Sequence, residues 1–231
     1  MLIPLKKRLP SWEIKVAIRS SRLSQLQLVE VEGSMRAFFP KIRMIPTLLM
    51  TSGDVDQTTP LRLMEKTDFF TREVDEKVLQ GEADLAIHSA KDLPATIPEG
   101  LVVAAITKGV DPADSLVFRK GFSLTQFPIG GRVGTSSLRR EKRVRQMLPQ
   151  ATMTDLRGSV PKRLELLEQD LALPGSLHAI VAAEAALIRL ESPVPRVEMT
   201  GEEHPLQGKL AVLARKSDPL ISSLFSCIDA R

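Results

Sequence analysis

Tyrosine is absent from these 231 residues, tryptophan and cysteine occur once each, and histidine three times. A single thiol, Cys227, cannot close an internal disulfide, so no covalent staple supports the fold and a reducing compartment suits it. With aromatics at 4%, platforms for stacking single-stranded nucleic acid are few, and no established nucleic-acid motif is present, so no nucleic-acid partner is expected. His88 has no second histidine at ligand spacing, so no metal site is expected either. No apolar run approaches the roughly 18 to 20 residues that span a bilayer, and the opening MLIPLKKRLP lacks the apolar stretch of a secretory signal. A cytoplasmic protein with no membrane partner is the expectation.

What is present points to a globular chain with one focused charge feature. Apolar residues at 43% and charged residues at 26% are enough to build cores for one large domain or two lobes. Net charge is only +4, yet residues 131–163 hold nine Lys or Arg (Arg132, Arg139, Arg140, Lys142, Arg143, Arg145, Arg157, Lys162, Arg163) against Glu141 and Asp155. That segment carries +7 and leaves −3 for the remainder, which suggests a local anion site rather than a generally basic surface.

Apolar periodicity alternates between strand and helix. Glu13 to Ile18 reads as a strand, followed by a helix that Ser20 or Ser21 caps, with Leu23, Leu26, Val29 and Met35 as its apolar stripe. Ile42 to Met50 reads as a strand running into a loop at Thr51 to Asp54, and a helix is expected from about Phe69 to Gln80, stopped by Gly81. Strands at Asp84 to Ile87 and Gly100 to Ile106 follow, then helices from GTSSLRR to Leu148 and from about Pro161 to Glu168, the latter preceded by a strand at Met153 to Asp155. Ala179 to Leu190 reads as a strand passing into a helix, Lys209 to Ala214 as a late strand, and Ser217 to Arg231 as a final helix. The pattern predicts α/β architecture in two lobes facing a cleft, with 1–107 and 204–231 in the first lobe and 108–203 in the second.

Three loops at strand ends carry the chemistry. In HSAKDLP (88–94), Asp92 beside Lys91 could stabilise a cation forming on a substrate or pass a proton, although an aspartate in this setting is more often a turn residue before Leu93 and Pro94. In GTSSLRR (134–140), hydroxyls and a helix N-terminus offer donors to an anion, and Arg139 and Arg140 add forks that fit carboxylates; plain helix capping is the alternative. LRGSVPKR (156–163) repeats this chemistry with cations in the first turn of a helix, where they oppose its dipole unless an anion sits nearby. Arg143 and Arg145 read as solvated surface, and Cys227, on the apolar stripe of the last helix, as an inert buried thiol.

Together VAIRSS (16–21), DLAIHSAKDLP (84–94), DPADSLV (111–117), VGTSSLRR (133–140), LRGSVPKRLELL (156–167) and Gln207-Gly208 resemble, in order, the porphobilinogen deaminase (hydroxymethylbilane synthase) family. The resemblance implies two periplasmic-binding-protein-like (type II) lobes around a central cleft. It also implies a transferase of tetrapyrrole and heme biosynthesis that removes ammonia from porphobilinogen and joins the pyrroles head to tail into hydroxymethylbilane. By position it assigns Asp92 as the catalytic aspartate and Ser89, Lys91, Thr135, Ser137, Arg139, Arg140 and Arg163 as holding a dipyrromethane cofactor. Arg19, Ser21, Gln27, Phe70 and Arg157 match groups that bind the incoming pyrrole. A monomer is expected. A family member's third domain carries the cysteine that anchors dipyrromethane; this chain ends at Arg231, so a shortened form without that domain is expected, and Cys227 does not match the anchor. Residues 62–68 replace the family's glycine-rich, lysine-containing loop. The alternative reading is a non-catalytic protein that binds a tetrapyrrole or another polycarboxylate.

Overall fold

The computed structural model describes residues 12–56 and 68–231. In chain order these form β1 (Glu13–Arg19), α1 (Arg22–Arg36), β2 (Arg43–Leu49), α2 (Ser52–Val55), α3 (Arg72–Leu79), β3 (Leu85–Ser89), β4 (Leu101–Ile106) and β5 (Asp114–Phe118). There follow β6 (Arg132–Gly134), α4 (Leu138–Met147), β7 (Thr152–Thr154), α5 (Val160–Glu165), β8 (Ala179–Ala183), α6 (Glu184–Arg189), β9 (Arg196–Met199), β10 (Leu210–Arg215) and α7 (Pro219–Phe225). Residues 12–51, 68–108 and 210–231 make one compact unit, and 52–56 with 109–209 a second.

The two units share one strand plan. The first sheet has the order β2-β1-β3-β10-β4 and the second β7-β6-β8-β5-β9. In the first, β1 runs parallel to β2 and β3 while β10 lies antiparallel between β3 and β4. In the second, β6 runs parallel to β7 and β8 while β5 lies antiparallel between β8 and β9. In each sheet the reversed strand is the one the chain enters on arriving from the other unit. Side chains alternate as the pleat requires: on β5, Leu116 and Phe118 join one buried cluster of the second unit and Val117 the other, and on β8 Ala179 and Val181 are separated likewise from Ile180 and Ala182. The first unit's core gathers Ile14, Val16 and Ile18 of β1, Leu85 and Ile87 of β3 and Phe225 of α7.

Several elements differ from their sequence reading. Helix α1 is capped by Ser21, whose Oγ accepts from Ser24 N at 3.2 Å, but its buried residues are Ser24, Gln27, Leu28, Val31 and Met35, and Val29 is 60% exposed. The stripe is shifted because two polar residues occupy core-facing positions. Helix α3 starts at Arg72 rather than Phe69, α2 forms where a loop was read, and the last helix ends at Phe225 and tightens into a 3₁₀ turn at Ser226–Ile228. Strands β5 and β9 carried no strand reading. The return to the first unit falls at Leu210 rather than near 204, because the buried Gln207 amide donates to Pro112 O, Ala113 O and Asp114 Oδ1, which fastens 204–209 to the second unit.

Gly208 marks a close approach at this return. It has φ +80°, and a Cβ there would lie 2.3 Å from Asp111 O and 2.9 Å from Asp111 C, so both conformation and space exclude a side chain. Gly208→Ala is expected to destabilise the second unit by about 3 kcal/mol or more, since strain and a backbone displacement add. Chemical denaturation followed by circular dichroism reads the change; an unaltered midpoint would contradict this packing.

His178 supplies a second test. Its Nδ1 accepts from Arg132 N at 3.1 Å, and its ring stands edge-on to Phe122 with centroids 5.2 Å apart. Burial, then the nearby Arg132 and Arg119 charges, push its pKa below the usual 6.5. A depressed histidine contributes stability that is present above 6.5 and lost as pH falls below it. His178→Gln is therefore expected to flatten part of the drop in melting temperature between about pH 7 and 5; parallel wild-type and variant curves would refute it.

Candidate active site

In the first unit the expected site residues cluster at the carboxyl ends of adjacent parallel strands. The register pairing Val16 with Leu85 and Ala17 with Ala86 brings Arg19, the last residue of β1, level with the end of β3. The Arg19 guanidinium lies over the Phe70 ring, 4.7 Å from its centroid, so these two side chains are brought together. Ser89 Oγ accepts a 2.9 Å bond from the buried Gln27 Nε2, which ties β3 to α1. Ser21 is occupied as the α1 cap, its Oγ 3.0 Å from Ser24 Oγ. From Ser89 the chain enters a 3₁₀ turn, Ala90–Asp92, which leaves Lys91 and Asp92 half-buried. No hydrogen bond among the described residues uses the Asp92 carboxylate. The replaced loop at 62–68 lies, except for Asp68, outside the described residues.

In the second unit, GTSSLRR and LRGSVPKR leave the ends of the paired strands β6 and β7, where Gly134 faces Thr154. The hydroxyls of GTSSLRR have internal duties. Thr135, buried, accepts from Ser137 N at 3.3 Å; Ser137 caps α4 by accepting from Arg140 N at 3.4 Å; Ser136 bonds both Leu156 O and Leu156 N, which locks the two loops together. Gly134 allows that approach, since a Cβ would meet Leu177 at 2.9 Å and Leu156 at 3.1 Å. Arg157 donates to Asp56 O, and Arg163 Nε to Gly158 O at 2.7 Å.

The arginines converge on one residue that sequence reasoning passed over as a site. Asp114, fully buried at the start of β5, takes Arg139 Nη2 at 2.6 Å and Arg143 Nη1 at 3.3 Å on Oδ2, and Arg140 Nη2 at 2.6 Å and Nε at 2.9 Å on Oδ1. Burial alone would raise its pKa, but the Arg140 and Arg139 guanidinium groups and the Gln207 amide hold it below the ordinary carboxylate range. Arg143 is thus no solvated cation: it is 5% exposed and also donates to Met199 O and Thr200 O. Arg145 is surface, paired with Glu141 one turn away at 2.7 Å. The signal for Asp114 was an acid two residues before the apolar run Leu116 to Phe118, upstream of an arginine-rich helix.

Three guanidinium charges on one carboxylate leave a surplus of positive charge beside the N-terminus of α4, a donor set suited to a ligand bearing several carboxylates. A family model described as porphobilinogen deaminase, dipyromethane cofactor binding domain, matches residues 14–223. The chain belongs to the porphobilinogen deaminase family. A probable porphobilinogen deaminase of Chlamydia muridarum is 42% identical over 200 residues, covering 86% of this chain and 80% of that protein. The porphobilinogen deaminase of Moorella thermoacetica is 38% identical over 225 residues, covering 94% and 69%. Among solved structures, the periplasmic VFT2 domain of Bordetella pertussis BvgS superposes with TM-score 0.51 at 12% identity over 94% of this chain and 86% of that one. CbnR, a LysR family transcriptional regulator, gives 0.53 at 13% over 92% and 67%. These likenesses concern fold alone, and they agree with the type II periplasmic-binding plan of the two sheets.

No helix among the described residues is long and apolar enough to cross a membrane, and none of their His, Cys, Asp and Glu residues group as a metal site. Cys227 is half-buried, its Sγ 3.3 Å from Leu224 O, and burial pushes its thiol pKa up, which disfavours the nucleophilic thiolate.

Proposed function

We propose that this chain is a transferase that acts on porphobilinogen, releasing ammonia and joining pyrroles head to tail toward hydroxymethylbilane, and that it works as a cytoplasmic monomer. The observation that carries the reading is the Asp114-centred arginine cluster between the start of β5 and the first turns of α4, in a chain of this family. A pyrrole with two carboxylate side chains, and a chain grown from it, presents negative charge that this surplus of guanidinium can meet in pairs.

Loss of ammonia from an aminomethylpyrrole leaves a cation whose charge is shared with the ring nitrogen. Asp92 is assigned to that cation: its carboxylate, not engaged by other described residues, stabilises the developing charge and accepts the ring N–H, or receives the proton released when the new carbon–carbon bond forms. Arg19, stacked on Phe70, is assigned to a substrate carboxylate, with Ser21 and Gln27 on the same unit and Arg157 on the other also assigned to substrate binding. Ser89, Lys91, Thr135, Ser137, Arg139, Arg140 and Arg163 are assigned to the side chains of dipyrromethane; Ser137 and Thr135 do this chiefly by setting the turn that aims the arginines. When bound, dipyrromethane supplies the pyrrole terminus to which substrate is joined.

Incubating the purified chain with porphobilinogen, and following substrate loss and ammonia release, tests the reading. Consumption with formation of a linear tetrapyrrole is the expected result. Tight, salt-sensitive binding without consumption would instead mark a polycarboxylate-binding protein.

A further inference from the structure

Residue 92 sits on a turn that has little to hold it by itself. The 3₁₀ piece Ala90–Asp92 is three residues long, its N-cap Ser89 makes no side-chain capping bond, and the bond that closes its end, Leu93 N to Ala90 O, is long at 3.4 Å. Its position is decided by the strand before it. The last two residues of β3 point to opposite faces of the sheet, as successive strand residues must. Ser89 reaches Gln27 on α1, while His88 Nε2 meets Asp75 Oδ1 on α3 at 2.9 Å.

The second contact is unusual in its cost. His88 and Asp75 side chains are 3% and 2% exposed, and Asp75 Oδ2 is buried with no hydrogen-bond partner. Burying a carboxylate with half its acceptor capacity unused opposes folding, and two apolar residues of the same volume would pack here at less expense. What a polar pair adds is direction: a hydrogen bond fixes the imidazole's rotation, and through it the backbone of residue 88, where a methyl contact would tolerate sliding.

The geometry points to Asp75 as a positioning residue for Asp92, acting through His88 to pin the end of β3 against α3 so that the turn leaves the sheet at a set angle. This rests on the reaction proposed above only in naming Asp92 as the reacting carboxylate; the pinning is a property of the protein alone. Displacing a reacting group by an ångström costs about 100-fold in rate, so a loosened turn should lower kcat while substrate binding persists.

Three full-length variants test it: Asp75→Asn, which keeps the shape but replaces a charge-bearing acceptor with an amide; Asp75→Ala, which removes the contact; and Met35→Ala, which opens a comparable void in the same unit at the far end of α1. Amide hydrogen exchange of residues 89–93 is expected to quicken in the order wild type, Asp75→Asn, Asp75→Ala, and to stay near wild type in Met35→Ala. With porphobilinogen, kcat should fall about 10-fold in Asp75→Asn and further in Asp75→Ala, with KM changed less than about threefold. If Asp75→Ala does not fold, Asp75→Asn against Met35→Ala carries the comparison. Exchange at 89–93 in Asp75→Asn no faster than in wild type overturns the inference, as does a kcat loss matched by Met35→Ala. A wild-type chain that consumes no porphobilinogen refutes the proposed reaction instead and leaves the exchange result to decide the pinning.

Discussion

Asp92→Asn is expected to lower kcat for porphobilinogen by about 10²- to 10⁴-fold, the span over which a positioned acid or base contributes. The melting temperature should hardly move, because no hydrogen bond among the described residues depends on this carboxylate. KM should change little, since the charge that Asp92 meets develops only as ammonia leaves. Asp92→Glu, which keeps the charge but carries it one methylene further, should recover part of the rate. Steady-state kinetics beside thermal melts separate this from a structural effect: a loss of rate that tracks a loss of stability would place Asp92 in the turn and not in the chemistry.

Asp114→Ala should produce the largest fall in stability. Removing one partner from a buried ionic cluster leaves the others uncompensated and costs about 3–5 kcal/mol. For a chain of this size that corresponds to roughly 10 °C in the melting transition of the second unit. The side chains of Arg140 and Arg143, 12% and 6% exposed, would be left with no counter-charge among the described residues, and Arg139 would lose its inner anchor. Binding of a polycarboxylate should weaken as well, since the forks would no longer be held in register.

The same residue fixes an acid limit. The folded pKa of Asp114 is depressed, so its contribution is fully present above the ordinary value of 3.8 and disappears as pH falls below it toward the folded value. Wild type and Asp114→Asn should therefore differ most in stability above pH 4 or so and converge in stronger acid. Glu184, held low against its burial by Arg196 and Ser115, adds to the acid sensitivity in the same direction. Denaturation midpoints measured across pH 3 to 7 read both effects; a gap that persists unchanged into acid would mean that Asp114 is not the anchor.

Much of the architecture was legible because it follows from short-range rules. Glu13 to Ile18, Ile42 to Met50 and Gly100 to Ile106 announced strands by apolar content and flanking turns, and Ser21 and Ser137 announced helix starts by their hydroxyls. Where a rule conflicted with packing, packing decided. Val29 has the spacing of a stripe residue and lies at the surface, while Ser24 and Gln27 are inside because their partners, Ser21 and Ser89, are there to receive them. Strand β9, with Arg196 and Glu198 between apolar residues, carries too little apolar content to read as a strand; it exists because β5 offers it a ladder.

The order of charged and hydroxyl residues along the chain was by itself enough to establish an α/β protein with three polar loops at strand ends and a surplus of arginine on two of them, because helix capping, strand periodicity and local charge are all written within a few residues. Which arginine is buried, which acid gathers them and which histidine is pinned depended on residues brought together from afar. Asp114 and Arg143 stand 29 positions apart, His88 and Asp75 thirteen, and Gln207 and Asp114 ninety-three. Contacts of that separation form only when the sheets assemble and exclude water, and it is that exclusion which turns a solvated charge into a structural anchor.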